Sequence, residues 1–165
     1  MPSLGDKHKQ HQEDQGEPGR SSRRAVLLVE DNPTDAFVIQ GVVASYNPNL
    51  AIHVARDGHD ALAYLEKVAD EEGARPVLVL LDLNLPKVRG IEVLRQLRGG
   101  ERYRGVPVIV ITSSSEDADR KEAQRLGADD YFQKPADLAA YMALAEVIRR
   151  TMGNLDGGSD PATGS

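Results

Sequence analysis

The sequence contains no cysteine, which excludes a disulfide framework and any metal site built from thiolates. No stretch approaches the roughly 18 consecutive apolar residues that a membrane-spanning helix requires. Prolines aside, residues 1–24 carry only Met1 and Leu4 as apolar side chains, so they lack the hydrophobic centre of a secretory signal. These absences predict a cytoplasmic protein with no membrane partner.

An excess of positive charge is also lacking. The net charge is −6 at neutral pH, and the lysines and arginines are scattered rather than clustered. Because binding to nucleic-acid phosphates draws on clustered basic side chains, we expect no nucleic-acid partner.

Composition divides the chain of 165 residues into three parts. Residues 1–23 are rich in Gln, Glu, Asp, Gly, Lys and His, and residues 153–165 are rich in Gly, Ser and Asp. Such segments cannot bury enough apolar surface to become ordered, so both are predicted to be disordered tails. The foldable part is then a single domain over 24–152.

Short apolar runs alternate with helical periodicity throughout that domain. The predicted strands cover residues 26–29, 50–55, 77–82, 106–112 and 131–133. A helical pattern follows each strand, with the fifth helix capped by Asp137 and running to about Met152. This alternation predicts an α/β fold: a doubly wound, five-stranded parallel sheet with five helices covering both faces.

Reactive polar groups follow four of the five predicted strands. Glu30 and Asp31 follow the first, Asp82 ends the third, Thr112 ends the fourth and Lys134 follows the fifth. In a parallel sheet all these strand ends open at the same edge, which is where ligands bind in such folds. We therefore expect three acids, a hydroxyl and a lysine to converge there.

This set of side chains suits a divalent metal and a phosphoryl group. Repulsion among Glu30, Asp31 and Asp82 is relieved by a cation, and oxygen ligands without histidine or cysteine favour Mg²⁺ over zinc. The Asp82 carboxylate can act as a nucleophile on phosphorus. Mg²⁺, the Lys134 ammonium and the Thr112 hydroxyl would then each compensate charge on one phosphoryl oxygen.

Four motifs in register carry a resemblance to a known family. They are Val29-Glu30-Asp31-Asn32, Leu81-Asp82-Leu83-Asn84-Leu85-Pro86 with Gly90, Thr112-Ser113, and Tyr131-Phe132-Gln133-Lys134-Pro135. With these motifs, residues 24–152 resemble the CheY-like receiver domain of two-component response regulators, which has a flavodoxin-like fold.

The resemblance implies a role for each site residue. Asp82 would accept a phosphoryl group from a histidine kinase. Asp31, Asp82 and the backbone carbonyl of Asn84 would bind Mg²⁺, with Glu30 acting through water. The protein would be a phosphoacceptor switch whose only catalysis is Mg²⁺-dependent self-phosphorylation and self-dephosphorylation, and not an enzyme acting on an external substrate.

Two further features are implied by the same resemblance. Thr112 and Tyr131 would form a switch pair, in which the hydroxyl moves toward the phosphate and the ring turns inward. A cis peptide between Lys134 and Pro135 would help to aim the lysine.

A subgroup is also suggested by resemblance. Residues 30–35 and the polar stretch 69–75 are similar to those of regulators that serve bacterial phytochromes, so the partner kinase is predicted to be a bacteriophytochrome. We expect no output domain after the fifth helix, as in stand-alone receivers of this kind.

Two other functions are compatible with parts of this pattern. The first is a pseudo-receiver, which is a binding module that uses the same surface without phosphorylation; the complete acid set with Thr112 and Lys134 argues against it. The second is a phosphatase or a small nucleotide-binding protein, against which stands the lack of a glycine-rich phosphate loop after the first strand.

The third and fifth helices carry specific expectations. In the third, Ile91, Leu94 and Leu97 are predicted to face the core and to turn Arg95 and Arg98 outward.

In the fifth helix the predicted core stripe consists of Leu138, Met142, Ala145 and Ile148. Little polar surface remains around it, with Glu146 the only charge between Leu138 and Ile148. This pattern predicts a homodimer through the fifth helix, together with the fourth helix and the fifth strand; the alternative is an apolar surface on a monomer.

Overall fold

The computed structural model describes residues 24–71 and 73–156. They contain one sheet of five strands in the order β2-β1-β3-β4-β5, and every neighbouring pair is parallel. The strands are β1 (Ala25–Val29), β2 (Ala51–Ala55), β3 (Pro76–Leu81), β4 (Val108–Thr112) and β5 (Asp130–Gln133). The predicted sheet is confirmed. The predicted tail 1–23 and residues 157–165 of the predicted tail 153–165 lie outside the described residues, whereas residues 153–156 continue the fifth helix.

Five α-helices cover the sheet, as predicted. They are α1 (Pro33–Tyr46), α2 (Gly58–Val68), α3 (Gly90–Gly99), α4 (Asp117–Arg125) and α5 (Ala143–Asp156). Buried side chains of α1 and α5 pack on one face of the sheet, and those of α2, α3 and α4 pack on the other. None of the helices in the described part of the chain has the length and apolar character needed to cross a membrane.

The start of α1 is built close to the end of β1. Asn32 caps the helix, because its side-chain oxygen accepts hydrogen bonds from the backbone N–H groups of Thr34 and Asp35 at 2.9 and 3.1 Å. Pro33 occupies the first helical position, where its missing N–H is not needed. This short turn places the first residues of α1 at the carboxyl edge of the sheet.

Gly90 allows α3 to start against the end of β3. A Cβ at this position would lie 2.1 Å from the carbonyl oxygen of Asp82, so a larger residue would force the two segments apart. The backbone N–H of Gly90 also donates to the carbonyl of Leu83 at 3.1 Å. The loop after Asp82 is therefore tightly closed.

Arg98 does not face outward, so that prediction is wrong. Its side chain is only 16% exposed and donates to the carboxylate of Asp129 at 3.0 Å. It also donates to backbone carbonyls, namely those of Gly127, Tyr103, Arg104 and Val106. These loop carbonyls need donors, which accounts for the inward position, while Arg95 is half-exposed as predicted.

The predicted core stripe of the fifth helix is wrong at two positions. The segment begins with a 3₁₀ helix, Leu138–Met142, before α5 starts at Ala143. Because a 3₁₀ helix has three residues per turn, the inward phase shifts: Tyr141 and Leu144 are buried, while Leu138 and Met142 are each 54% exposed. Ile148 is buried as predicted.

Candidate functional site

The strand ends bring the predicted site residues together at the carboxyl edge of the sheet. Glu30 and Asp31 follow β1, and Asp82 follows β3. Thr112 is the last residue of β4 and Lys134 the first after β5, and the Lys134 N–H donates to the carbonyl of Thr112 at 2.8 Å. The convergence predicted from the sequence is thus present in the structure.

Lys134 lies at the centre of this cluster. Its Nζ donates to Oδ2 of Asp82 at 2.8 Å and to Oδ2 of Asp35 at 3.0 Å, and it forms an ion pair with Oε2 of Glu30 at 2.7 Å. The lysine side chain is only 9% exposed. A buried ammonium therefore joins carboxylates from the end of β1, the start of α1 and the end of β3.

Asp35 was not predicted as a site residue. In the sequence it lies within residues 30–35, which carry the subgroup resemblance. Its Oδ1 also accepts a hydrogen bond from the hydroxyl of Tyr141 at 3.3 Å. The available signal was its position in the first turn of a helix that begins at the carboxyl edge, from which a carboxylate can reach the site centre.

Burial and mutual contacts shift the protonation of the central groups. Burial raises the pKa of Glu30 to about 7; the contact with Lys134 opposes this shift and the charge of Asp82 reinforces it. Burial alone would lower the pKa of Lys134. Its contacts with Asp82 and Glu30 together outweigh burial, so the pKa of Lys134 lies above its ordinary value and the lysine is a permanent cation.

The acidic groups fit a hard divalent cation. Carboxylate oxygens of Glu30, Asp31 and Asp82 all lie within 4.8 Å of one another. Oε2 of Glu30 is buried with the Lys134 ammonium 2.7 Å away, and Oε1 accepts a hydrogen bond from the N–H of Asn32 at 3.1 Å. An all-oxygen set of this kind suits a cation that keeps bound waters.

Asn84 and Thr112 lie beside the predicted phosphoacceptor. The Asn84 N–H donates to Oδ1 of Asp82 at 3.0 Å, which places Asn84 at the site. That its carbonyl is a metal ligand stays a prediction. Oγ1 of Thr112 accepts from Nδ2 of Asn84 at 3.3 Å and from the N–H of Ser114 at 3.2 Å, so the hydroxyl is held by two donors and keeps its own proton for a further acceptor.

Tyr131 lies next to the same loop. Its hydroxyl donates to the carbonyl of Ser114 at 3.0 Å, and the guanidinium of Arg120 lies 5.4 Å from its ring centroid. Ser114 therefore contacts both Thr112 and Tyr131. The motion of these two residues as a switch pair stays a prediction.

The prediction of a cis peptide before Pro135 is wrong. No cis peptide bond occurs in residues 24–71 and 73–156, so the Lys134–Pro135 bond is trans. The trans isomer is the favoured one for bonds to proline, and the lysine is oriented by its three carboxylate contacts instead.

Known proteins share this arrangement of sequence and fold. Residues 26–146 match the family described as response regulator receiver domain. The chain is 40% identical over 126 residues to the probable methanogenesis regulatory protein FilR2 of Methanothrix harundinacea, an alignment covering 75% of this chain and 80% of the relative. It is 34% identical over 126 residues to the response regulator Rcp1 of Synechocystis, covering 76% and 86%.

Solved structures agree with the sequence relatives. The phosphorylated cyanobacterial phytochrome response regulator RcpA superposes with a TM-score of 0.72 at 31% identity, covering 85% of this chain and 99% of its own. The Mn²⁺-bound form of Rcp1 superposes with a TM-score of 0.70 at 31% identity, covering 84% and 99%. Because the family match spans most of the described chain and the acidic edge carries its motifs, the chain belongs to the response regulator receiver domain family of two-component signalling.

Proposed function

We propose that this protein accepts a phosphoryl group on Asp82 from a histidine kinase and signals through the resulting conformational change. The observation that carries the proposal is the position of Asp82: its Oδ2 is 2.8 Å from the Lys134 ammonium, and an oxygen of its carboxylate lies within 4.8 Å of Glu30 and Asp31 oxygens. A nucleophile between a fixed cation and a metal-binding acid pair suits transfer of a dianionic group.

The proposed step is a displacement at phosphorus. A carboxylate oxygen of Asp82 attacks the phosphorus of an N-phosphohistidine, the P–N bond breaks, and its electron pair returns to the imidazole. Lys134 offsets charge on one phosphoryl oxygen, and the Thr112 hydroxyl donates a hydrogen bond to another. In the reverse switch, water attacks the phosphorus and the P–O bond to Asp82 breaks, giving inorganic phosphate and the free carboxylate.

The metal that we propose for this step is Mg²⁺, which would be held by Asp31, Asp82 and the backbone carbonyl of Asn84, with Glu30 acting through water. When bound it neutralises charge on the transferring phosphoryl group. The oxygen-only donor set supports this choice. The Mn²⁺-bound form of Rcp1 supports a divalent cation, and the receiver domain of sensor histidine kinase PA1611, with a magnesium ion in its active-site cleft, supports Mg²⁺.

For the kinase we propose a bacteriophytochrome. Two structurally similar relatives support this partner, since one is named as a phytochrome response regulator and another acts in red light signalling of R. palustris. FilR2, at 40% identity, is named for a different process, so the partner must be tested directly. Transfer from a phosphorylated bacteriophytochrome kinase should be much faster than from an unrelated kinase; equal rates would contradict this assignment.

A homodimer through the fifth helix, together with the fourth helix and the fifth strand, is also part of the proposal. Leu138 and Met142 support it as exposed apolar side chains, whereas Tyr141 and Leu144 belong to the monomer's own core. Sedimentation at tens of micromolar should show a dimer with or without a phosphate analogue. A monomer under both conditions would contradict it.

Intact mass after incubation with acetyl phosphate tests the switch chemistry. The wild type should gain one phosphoryl group when Mg²⁺ is present and none after chelation, and Asp82→Asn should gain none. If folded wild-type protein with Mg²⁺ gains nothing, the result contradicts the proposed switch chemistry and favours the pseudo-receiver, which partner-binding assays would then test.

A further inference from the structure

Two hydrogen bonds and one ion pair fix the Lys134 ammonium. Asp82 is one hydrogen-bond acceptor, as the proposed chemistry requires, and Asp35 is the other. Glu30 approaches the ammonium from the end of β1, with Oε2 at 2.7 Å. Asp35 is the acceptor that approaches it from the first turn of α1.

Asp35 is itself held in place by two parts of the fold. Its backbone N–H is bound by the cap Asn32, and its carboxylate lies in the first turn of α1, where the helix dipole favours negative charge. The hydroxyl of Tyr141 donates to its Oδ1 at 3.3 Å. Because the Tyr141 ring is buried in the core against α1 and α5, this hydroxyl is a fixed donor.

We propose that Asp35, anchored by Tyr141, is a positioning residue that aims the Lys134 ammonium at the phosphoryl group entering on Asp82. The inference rests on the proposed phosphoacceptor function. Asp35 needs no contact with the phosphoryl group, since it acts through the lysine. Its carboxylate keeps one ammonium N–H engaged, so that the N–H facing Asp82 is already oriented before transfer.

The direction of the effect separates positioning from simple charge. Asp35 adds a negative charge near a site that receives a dianion, so if charge alone mattered, Asp35→Asn would accelerate phosphorylation. If Asp35 positions Lys134, the same substitution slows phosphorylation at saturating Mg²⁺, by up to about 100-fold if the ammonium is misplaced by about 1 Å.

The chain offers a matched control for the lost charge. The side chain of Asp130 is 22% exposed, close to the 23% of Asp35, and it is paired with Arg150. Asp130 is the first residue of β5, so it lies at the amino end of the strands and not at the carboxyl edge with Asp82. Asp130→Asn should therefore leave the phosphorylation rate unchanged, and a slowing equal to that of Asp35→Asn would overturn the proposal.

Tyr141→Phe tests the anchor without changing any charge. It should slow phosphorylation in the same direction as Asp35→Asn, and the double variant should be no slower than Asp35→Asn alone, because both act through one contact. Additive losses would overturn the claim that Tyr141 acts through Asp35.

The Lys134 ammonium gives a readout that is independent of activity. In ¹⁵N-lysine-labelled, metal-free protein its NH₃⁺ signal, assigned by its absence in Lys134→Arg, should be protected from exchange in the wild type. It should exchange faster in Asp35→Asn while the backbone spectrum stays folded. An unchanged NH₃⁺ signal and rate in Asp35→Asn would overturn the proposal, whereas a wild type that takes up no phosphoryl group would instead overturn the proposed function.

Discussion

Asn84 and Thr112 are joined by a hydrogen bond across the site: Nδ2 of Asn84 donates to Oγ1 of Thr112 at 3.3 Å. The bond links the loop after β3 to the last residue of β4. Asn84 also donates its backbone N–H to Asp82. The predicted phosphoacceptor and the hydroxyl expected to meet its phosphate therefore share one bridging residue.

Thr112→Val should lower both stability and phosphorylation. It removes the acceptor of the Asn84 amide and of the Ser114 N–H. Asn84 is exposed and Ser114 half-buried, so water can replace part of the loss, and the cost is about 0.5–1.5 kcal/mol per hydrogen bond in the free energy of unfolding. Urea unfolding measures this cost. Thr112→Ser keeps the oxygen and serves as the control, so equal losses of phosphorylation in both variants would contradict a role for the hydroxyl.

Lys134→Met should make the metal-free protein less stable and bind Mg²⁺ more tightly. Three carboxylates lose their common cation, and breaking a buried ion pair costs about 3–5 kcal/mol. In the wild type the Lys134 ammonium repels Mg²⁺ from these acids, and this repulsion is absent in the variant. Calorimetric titration with Mg²⁺ checks the affinity, and a weaker affinity than that of the wild type would contradict this view of the site.

Arg98→Ala should destabilise the fold by about 2–4 kcal/mol, because its carbonyl partners and Asp129 lose their shared donor. Arg95 is the matched control three residues earlier. It is half-exposed and pairs with Glu92 and Glu122 on the surface, so Arg95→Ala should change little. Thermal unfolding of the two variants side by side decides the point.

Because of Tyr141, the free energy of unfolding should decrease above pH 10. Burial, then the charge of Asp35, raises the pKa of Tyr141 from 10.0 to about 12. Because the folded state holds this proton more strongly than the unfolded state, the contribution is complete below pH 10 and is lost as the pH rises toward 12. Tyr141→Phe should lack this loss, as measured by the difference between the two unfolding free energies across the pH series.

The sequence was sufficient to predict what depends on apolar runs. The three interior strands β1, β3 and β4 are continuous buried runs, and the residue after such a run had to lie at the carboxyl edge, which located Glu30 and Asp82. Lys134 follows the shorter and only partly buried β5. Asp35, Arg98 and Tyr141 were missed or misplaced because their roles depend on which loop or helix lies opposite them. Helical periodicity also failed at Leu138, where a 3₁₀ turn replaces the α-helix.

The order of the strands gives the site an uneven resistance to local opening. Glu30, Asp31 and Asp82 follow β1 and β3, which are interior strands, whereas Lys134 follows β5, an edge strand paired on one side only. Fraying begins at edges, where fewer hydrogen bonds must break. A brief separation of β5 from β4 would move the Lys134 ammonium away and leave the acids in place. The ammonium protons of Lys134 should therefore exchange with solvent much faster than the backbone amides of β1 and β3.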